Sequence, residues 1–428
     1  MSRFGATPAL SSMPDHPPDI LNILALRLAD GVGPATFFRA LERFGSPEHA
    51  LAAAPSAWAA VPRVGEKSAE RIVRSFPAAR DEAARTLDRC DALGLRVLTR
   101  ACPDYPALLR LIDDAPPVLF VRGALAHAPE PAVAIVGSRK ATAYGIEQAE
   151  RFAAAFAQHH GLAVVSGGAR GIDTAAHRAA LRVNGRTVVV LGAGHACPYP
   201  PENTDLFDRV VHAGGAVLSE LTPDTAPARE NFPTRNRIIS GLSLGVLVVE
   251  APERSGALIT ARLAVEEHGR TALALPGRVD SPTSRGANAL IRSGSAALVA
   301  SPADAADELD RPGAALIAAA LEHAPTAQHA SQSADHLFIP PTEAANPPSA
   351  SNTTAPATTT ADPSLAAANL SDRQRTILDA LDGPTNWDDL ARRTGLDVAV
   401  LRADATILEI RGLIRRTGSA LERRTAAH

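Results

Sequence analysis

From about residue 90 to 300 the chain alternates short apolar runs with helical stretches, and no other feature narrows the possible fold so far. The runs are LRVLT, PVLFVRG, AVAIVG, LAVVSG, TVVVLG, GAVLSE, GVLVVE, TALAL and ALVA. Helices are predicted around 143–159, 172–184, 203–212, 235–243, 257–268 and 287–293. Strands that are apolar throughout, rather than on alternate residues, are buried on both faces. Their alternation with helices predicts a doubly wound α/β core over 90–310, its sheet parallel and covered by helices on both sides. Aromatic residues make up only 4% of the chain against 46% hydrophobic, so Ala, Val, Leu and Ile must do the packing.

The flanks have a different character. Residues 1–18 are Pro-rich and patternless, which predicts a mobile tail. Residues 19–89 read as short helices punctuated by Gly and Pro: ILNILALRLADGVG, PATFFRALERFG, SPEHALAAAP and GEKSAERIVRSF. Residues 311–369, rich in Ala, Pro, Ser and Thr, read as a linker because such a composition cannot bury a core. Residues 370–428 read as three helices with a short turn before the third and a β-like tail, the pattern of a winged helix.

Several functional classes are excluded. The start of the chain has no apolar h-region, and no run is long enough to span a bilayer, so a cytoplasmic protein with no membrane partner is expected. Cys90, Cys102 and Cys197 show no pairing or metal-ligand spacing and are expected to be reduced thiols. The formal net charge of −3 does not advertise a nucleic-acid binder, and Lys occurs only at 67 and 140. Only arginines placed at particular turns therefore bear on anion binding.

In an open parallel sheet, ligands sit beyond the carboxyl ends of the strands. Four such turns carry chemistry. In AVAIVGSRKATAYG, Gly137 ends a strand, Ser138 follows with free backbone N–H groups, and Arg139 is able to grip a phosphate; the alternative is an ordinary turn capped by serine. In VVSGGARGIDTAAHRAAL, Ser166, Gly167, Gly168, Arg170 and Gly171 lead into a helix N-terminus suited to phosphate. No Lys follows that turn and the G-x-G-x-x-G spacing is incomplete, so neither ATP hydrolysis nor NAD is supported and no cofactor is expected. His177, four residues after Asp173, reads as a packed residue. In VVVLGAGHACPYPPENTDLF, Tyr199 with its prolines and Asn203 form a rigid loop whose ring either stacks on a base or closes over the core. In NFPTRNRIISGLSLGVLVVEAPERSGALITARLA, Phe232 precedes Arg235, Asn236 and Arg237 at what reads as a helix start, where two cations oppose the macrodipole and invite an anion. The turn from Glu250 through Ser255, Gly256 and Ala257 to Thr260 opens another helix, with Glu253 and Arg254 read as a solvated pair. Converging on one sheet edge, these turns suit an extended polyanion. No Ser–His–Asp set, paired-carboxylate motif or HExxH is readable, so no catalytic or metal residues are assigned.

These segments, in this order, closely resemble the DNA-processing protein A (DprA/Smf) family: VAIVGSR with a following YG, SGGARGIDTAAHRAAL, LGAGHACPYPPEN, LSELTPDTAPARENFPTRNRIISGLS, VVEAPERSGALITARLA, LPGRVDSPTSRGANALIRSGSAALV and, upstream, YPALLRLIDDAPPVLFVRG. The resemblance implies an extended Rossmann-like core that binds single-stranded DNA without hydrolysing nucleotide. It implies a homodimer that contacts the RecA recombinase and helps load it on incoming DNA in natural transformation. It places phosphate contacts on Ser138, Arg139, Ser166, Gly167, Gly168, Arg170, Arg235, Asn236 and Arg237, while Pro201 stands where some relatives are basic. GVGPATFFRALERFG and VPRVGEKSAERIVRSF resemble helix-hairpin-helix halves, the second offering Gly65, Lys67 and Ser68 to phosphate; the alternative is a helical domain that only packs. In the winged-helix-like tail, Asp397, Asp404 and Glu409 surround one Arg, which suits a protein contact at least as well as DNA. Two other functions are to be weighed. One is a nucleotide phosphoribohydrolase, whose PGGxGT-type loop is missing after LPGR. The other is a transcription regulator using the winged helix, against which the long linker argues.

Overall fold

The computed structural model describes residues 17, 19–125, 129–323 and, in the C-terminal module, 372–381, 383, 385–396, 401, 405, 408, 413–417 and 420–423. The expected tail and most of the expected linker lie outside the described residues, as do Asp397, Asp404 and Glu409. Every apolar run of the central region forms a strand: β1 Arg96–Thr99, β2 Val118–Gly123, β3 Ala132–Val136, β4 Ala163–Ser166, β5 Thr187–Val190, β6 Ala216–Ser219, β7 Gly245–Val248, β8 Thr271–Ala274 and β9 Ala297–Leu298. They make one nine-stranded sheet in the order β1-β2-β6-β5-β4-β3-β7-β8-β9. From β6 across to β9 every pairing is parallel. The first two strands depart from the expected all-parallel sheet, β2 pairing antiparallel with β6 and β1 antiparallel with β2. The connection between them carries only a single-turn helix, α6 (Ala107–Arg110), and not the long helix that usually crosses over between parallel neighbours.

Alternate residues of the parallel strands feed two cores. Val133, Ile135, Val164, Leu247 and Leu273 pack against Phe152 and Phe156 of α7 (Ala143–His159) and the alanines of α8 (Ile172–Arg182). Ala132, Ala134, Val136, Val165, Val246 and Val248 face α10 (Asn231–Gly241) and α11 (Gly256–Glu266) on the other side. Helix α9 (Thr204–His212) covers β5 and β6, and α12 (Arg285–Arg292) leads to β9. The core also runs past residue 310, where a linker was expected. Helix α13 (Pro302–Glu322) is capped by Ser301 and Asp304 and buries Leu309, Gly313, Ile317 and Ala320 along one stripe. Its Ala-rich composition resembles a linker, but the spacing of those residues is helical, and the spacing decides.

The N-terminal module contains α1 (Ile20–Leu28), α2 (Pro34–Phe44), α3 (Pro47–Ala52), α4 (Pro55–Ala59) and α5 (Glu66–Leu93). Helix α5 is not the expected short segment: it runs 28 residues through Pro77, which is exposed, where a lost backbone hydrogen bond costs least. Val97, Val118 and Phe120 of β1 and β2 share one core with Trp58 and Phe76, so this module covers that edge of the sheet. In the C-terminal module, Ile377 and Leu378 of α14 (Asp372–Asp379) and Leu390 of α15 (Trp387–Thr394) pack with Leu401, Leu408, Ile414 and Leu421 beside a three-stranded sheet of β10 (Thr385–Asn386), β11 (Ile414–Thr417) and β12 (Ala420–Arg423). Among the described residues no helix is long and apolar enough to cross a membrane.

Two histidines are built into this fold in the neutral form. His177 of α8 is fully buried, its Nδ1 2.7 Å from Thr187 Oγ1, whose hydroxyl donates to the Val164 carbonyl. Burial, aided by the nearby Arg235 charge, pushes His177 down to about 3. His195 lies with Nε2 3.0 Å from the Phe120 carbonyl, and burial takes it down to about 4 despite that bond. Both folded values lie below the unfolded one, so the stability they confer is full above about pH 6.5 and is lost as pH falls toward 4 and 3. Urea unfolding at pH 5 should show a loss of about 2 kcal/mol per histidine relative to pH 7.5, and His177→Asn should remove its share of that pH dependence.

Candidate nucleic-acid interface

Strand order reverses between β3 and β7: β4, β5 and β6 follow β3 to one side, β7 and β8 to the other. The loops leaving the carboxyl ends of β3 and β7 therefore diverge and leave a crevice. A cleft of about 920 Å³ occupies it, lined by Gly137–Lys140 after β3, Pro227–Arg229 and the first half of α10, and the 252–260 turn, with Tyr199, Ala169 and Asp173 closing the side. Five lining residues are cations (Arg139, Lys140, Arg229, Arg235 and Arg254), against a single acid, Asp173.

The first turn is bolted to the second by Glu250. The Ser138 amide donates to the Glu250 carbonyl at 2.7 Å, and the buried Glu250 carboxylate accepts from Thr142 N (2.9 Å), Thr142 Oγ1 (2.7 Å) and Thr283 Oγ1 (2.9 Å). The Lys140 amide donates to Ser138 Oγ at 3.1 Å, closing the turn and leaving the Arg139 and Lys140 side chains exposed. Gly171 has φ 75°, and a Cβ there would lie 2.3 Å from the Ser138 carbonyl oxygen. At Gly167 a Cβ would meet Arg235 Nη2 at 2.5 Å and Asp173 Oδ2 at 2.8 Å. Both glycines are thus required by close approach.

The RNR triplet is placed differently from its expected position at a helix start. Helix α10 begins at Asn231, so Phe232 sits in its first turn and the triplet is buried farther along. Arg235 Nη1 donates to the Gly167 carbonyl at 2.8 Å beside Asp173. Burial lowers Arg235 to about 10, with Asp173 pulling the other way. Burial raises Asp173 against the pull of Arg235 and of the Ala169 N–H, which donates to it at 3.2 Å. Arg237, about 200° further round the helix, faces away from the cleft, where Nη2 meets both Glu220 oxygens at 2.7 Å. Asn236 lines the cleft and donates to the Gly256 carbonyl at 3.2 Å. Two cations at a helix N-terminus are therefore not what this segment offers. It offers one buried cation on each side of α10.

A row of alternating cations and rings starts on the cleft wall and ends beyond it. The Arg139 guanidinium lies 5.0 Å from the Phe232 ring centre, the Phe232 and Tyr199 rings are 5.6 Å apart and tilted by 59°, and Arg170 lies 5.6 Å from Tyr199. The Tyr199–Pro200 peptide is cis. Arg170 stands outside the cleft lining, paired to Glu202 and donating to Tyr199 OH at 3.2 Å. Ser166, Gly167, Gly168, Gly171 and Asn203 also lie outside the lining. Ser166 Oγ donates to the Ile135 carbonyl, and Asn203 Nδ2 donates to the Gly168 carbonyl and Thr174 Oγ1, so both shape the turns. The structure adds Lys140, Arg229 and Arg254 to the site, three cations that no sequence motif marks. Among the described residues none of these three, nor Arg139, is ion-paired. Arg254 is thus not the partner of Glu253 that adjacency suggested, and Lys140 was signalled only by being one of two lysines.

Fold and site define an open α/β protein with a cationic, aromatic-walled cleft at its topological switch point. Residues 96–310 match the family of DNA recombination-mediator protein A. Residues 361–418 match the DprA winged helix domain, and residues 24–76 a SAM-like helix-hairpin-helix tandem. The chain belongs to the DprA/Smf family. It is 41% identical to Protein Smf of Synechocystis sp. over 275 residues, 63% of this chain and 68% of that one. It is 44% identical to DNA processing protein DprA of Streptococcus pneumoniae over 206 residues, 48% of this chain and 71% of that one. The X-ray structure of the S. pneumoniae DNA processing protein A matches with a TM-score of 0.57 and 34% identity, covering 67% of this chain and 97% of that one.

Gly171→Ala should cost about 2–4 kcal/mol in urea unfolding, since it combines backbone strain with a collision against the Ser138 carbonyl. Gly256→Ala, with open space around the new Cβ, should stay within about 0.5 kcal/mol of the parent.

Proposed function

We propose that this protein binds single-stranded DNA in the switch-point cleft and holds it without chemical change. The observation that carries the reading is the charge of the lining, five cations against one acid, with four of the cations free of carboxylate partners among the described residues. Such a lining suits a chain of phosphates and exacts a counterion-release salt dependence. The Arg139–Phe232–Tyr199 wall supports a single strand over a duplex, because ring faces stack on bases that a duplex keeps stacked on each other. The phosphoribohydrolase alternative needs an available carboxylate in the cleft. Asp173 is the acid there, and it already accepts the Ala169 N–H beside Arg235.

Membership of the family supports the finer reading. The protein protects incoming DNA as a homodimer and helps load RecA on it during natural transformation, in the cytoplasm. A reducing compartment suits its free cysteines, Cys90, Cys102 and Cys197.

Anisotropy of labelled single- and double-stranded oligonucleotides over a salt series, without nucleotide, should show tight, salt-dependent preference for the single strand. Arg139→Ala and Arg229→Ala should each weaken binding by about tenfold and flatten the logarithmic salt slope by about 0.7. Phe232→Ala should weaken it by about 1–3 kcal/mol with the slope unchanged. Unaltered affinity in both arginine variants would sink the proposal, and release of free base from a nucleoside monophosphate would favour the enzyme.

A further inference from the structure

Outside the cleft, Asp114, Glu267 and His268 bring one carboxylate oxygen each and one imidazole nitrogen to within 4.8 Å of one another. Asp114 lies in the turn before β2, while Glu267 and His268 lie between α11 and β8. The cluster is more than two acids at a surface. The His268 side chain is 2% exposed, and its Nδ1 is 2.9 Å from Ser240 Oγ on α10. That contact fixes the ring and turns Nε2 toward Asp114 Oδ1 at 3.3 Å. The two atoms are within ion-pair distance of each other, but the angle is poor for a hydrogen bond, and neither buried atom has a hydrogen-bond partner of good geometry. Buried polar atoms paired only in poor geometry hold the fold less well than a bonded pair would. A cation bonded to both would satisfy them together.

We propose that Asp114, Glu267 and His268 form a site for a divalent zinc-class cation. Ligand distances of about 2.0–2.2 Å around tetrahedral zinc set the ligand atoms about 3.3–3.5 Å apart, the separation already present between His268 Nε2 and Asp114 Oδ1. Glu267 is exposed, and its carboxylate oxygen already lies within 4.8 Å of the other two ligand atoms, on the solvent side of the cluster. A neutral imidazole with two carboxylates selects zinc, cobalt or nickel over magnesium or calcium, which prefer oxygen alone. The Ser240 contact to Nδ1 is the outer hydrogen bond that orients a metal-bound histidine.

Arg237 is the nearby positive charge that opposes a cation. Its Nε faces the other Asp114 oxygen, Oδ2, at 3.5 Å, and its charge is met by both oxygens of Glu220 at 2.7 Å. Asp114 Oδ1 is thereby left for the metal. Glu220 also lies 3.7 Å from Arg27 of α1, so the site ends a chain of charges that reaches the N-terminal module. A bound ion would pin the turn before β2 to the end of α11.

The test is calorimetry of the full-length, chelator-treated protein with zinc chloride, with magnesium chloride as comparison and cobalt absorption as a probe of coordination. One zinc per chain at micromolar Kd or tighter is expected, with intense tetrahedral cobalt bands and a rise in melting temperature on the order of 5 °C. His268→Ala should abolish the cobalt bands. Glu267→Gln, an exposed substitution that leaves the core intact, should weaken zinc at least tenfold. Absence of saturable zinc binding, or binding undiminished in Glu267→Gln and His268→Ala, would overturn the proposal. None of the three residues lines the cleft, so single-stranded DNA affinity in Glu267→Gln should match the parent.

Discussion

Glu250 follows β7 with only 2% of its surface exposed, and its carboxylate takes hydrogen bonds from both donors of Thr142 and from Thr283, while its carbonyl takes the Ser138 amide. A carboxylate removed from water without a cation is tolerable only when its lone pairs are filled in this way. The consequence is mechanical. The turn after β3, the start of α7 and the loop before α12 are tied to one buried group, and the crevice opened by the reversal of strand order acquires fixed walls. Arg139 and Lys140 project from one of those walls, Arg254 and Ser255 from the other.

Charge in the cleft is graded by burial. Arg235 lies at the floor, desolvated, sharing Asp173 and the Gly167 carbonyl, so its charge costs the fold something to keep. Arg139, Lys140, Arg229 and Arg254 stand in solvent and cost almost nothing. An anion entering the cleft meets screened cations first and a poorly screened one last, and the buried charge is the one whose field salt weakens least. The aromatic wall is held by the same economy of space: the Phe232 ring packs where a Cβ on Gly192 would come within 2.7 Å of it.

The α/β alternation was legible because each strand is a run of Val, Ile, Leu and Ala, and all nine strands form where those runs lie. Composition was the poorer guide: residues 311–322 look like linker by content and are the second half of α13 by spacing. The turns around Gly137, Gly167 and Gly171 were legible because glycine there answers to crowding, by backbone at Gly171, by the Arg235 and Asp173 side chains at Gly167 and by backbone and side chain together at Gly137. The RNR triplet was only half legible, since its helix starts at Asn231 rather than at Arg235. Lys140, Arg229 and Arg254 carried no local signal, because an exposed cation has the same neighbours in sequence whether it faces a cleft or open water.

By itself the sequence determined the doubly wound sheet, its two helical layers, the family and the turns that bear the site, since each rests on periodicity or on residues adjacent in the chain. Only the tertiary structure decided that β1 and β2 join antiparallel, that Arg235 faces the cleft while Arg237 turns to Glu220, and that Asp114 meets His268. The physical reason is range. Hydrophobic pattern and glycine geometry act over a few residues, whereas the pairing of charges depends on which distant segments the packed sheet brings within a few ångströms.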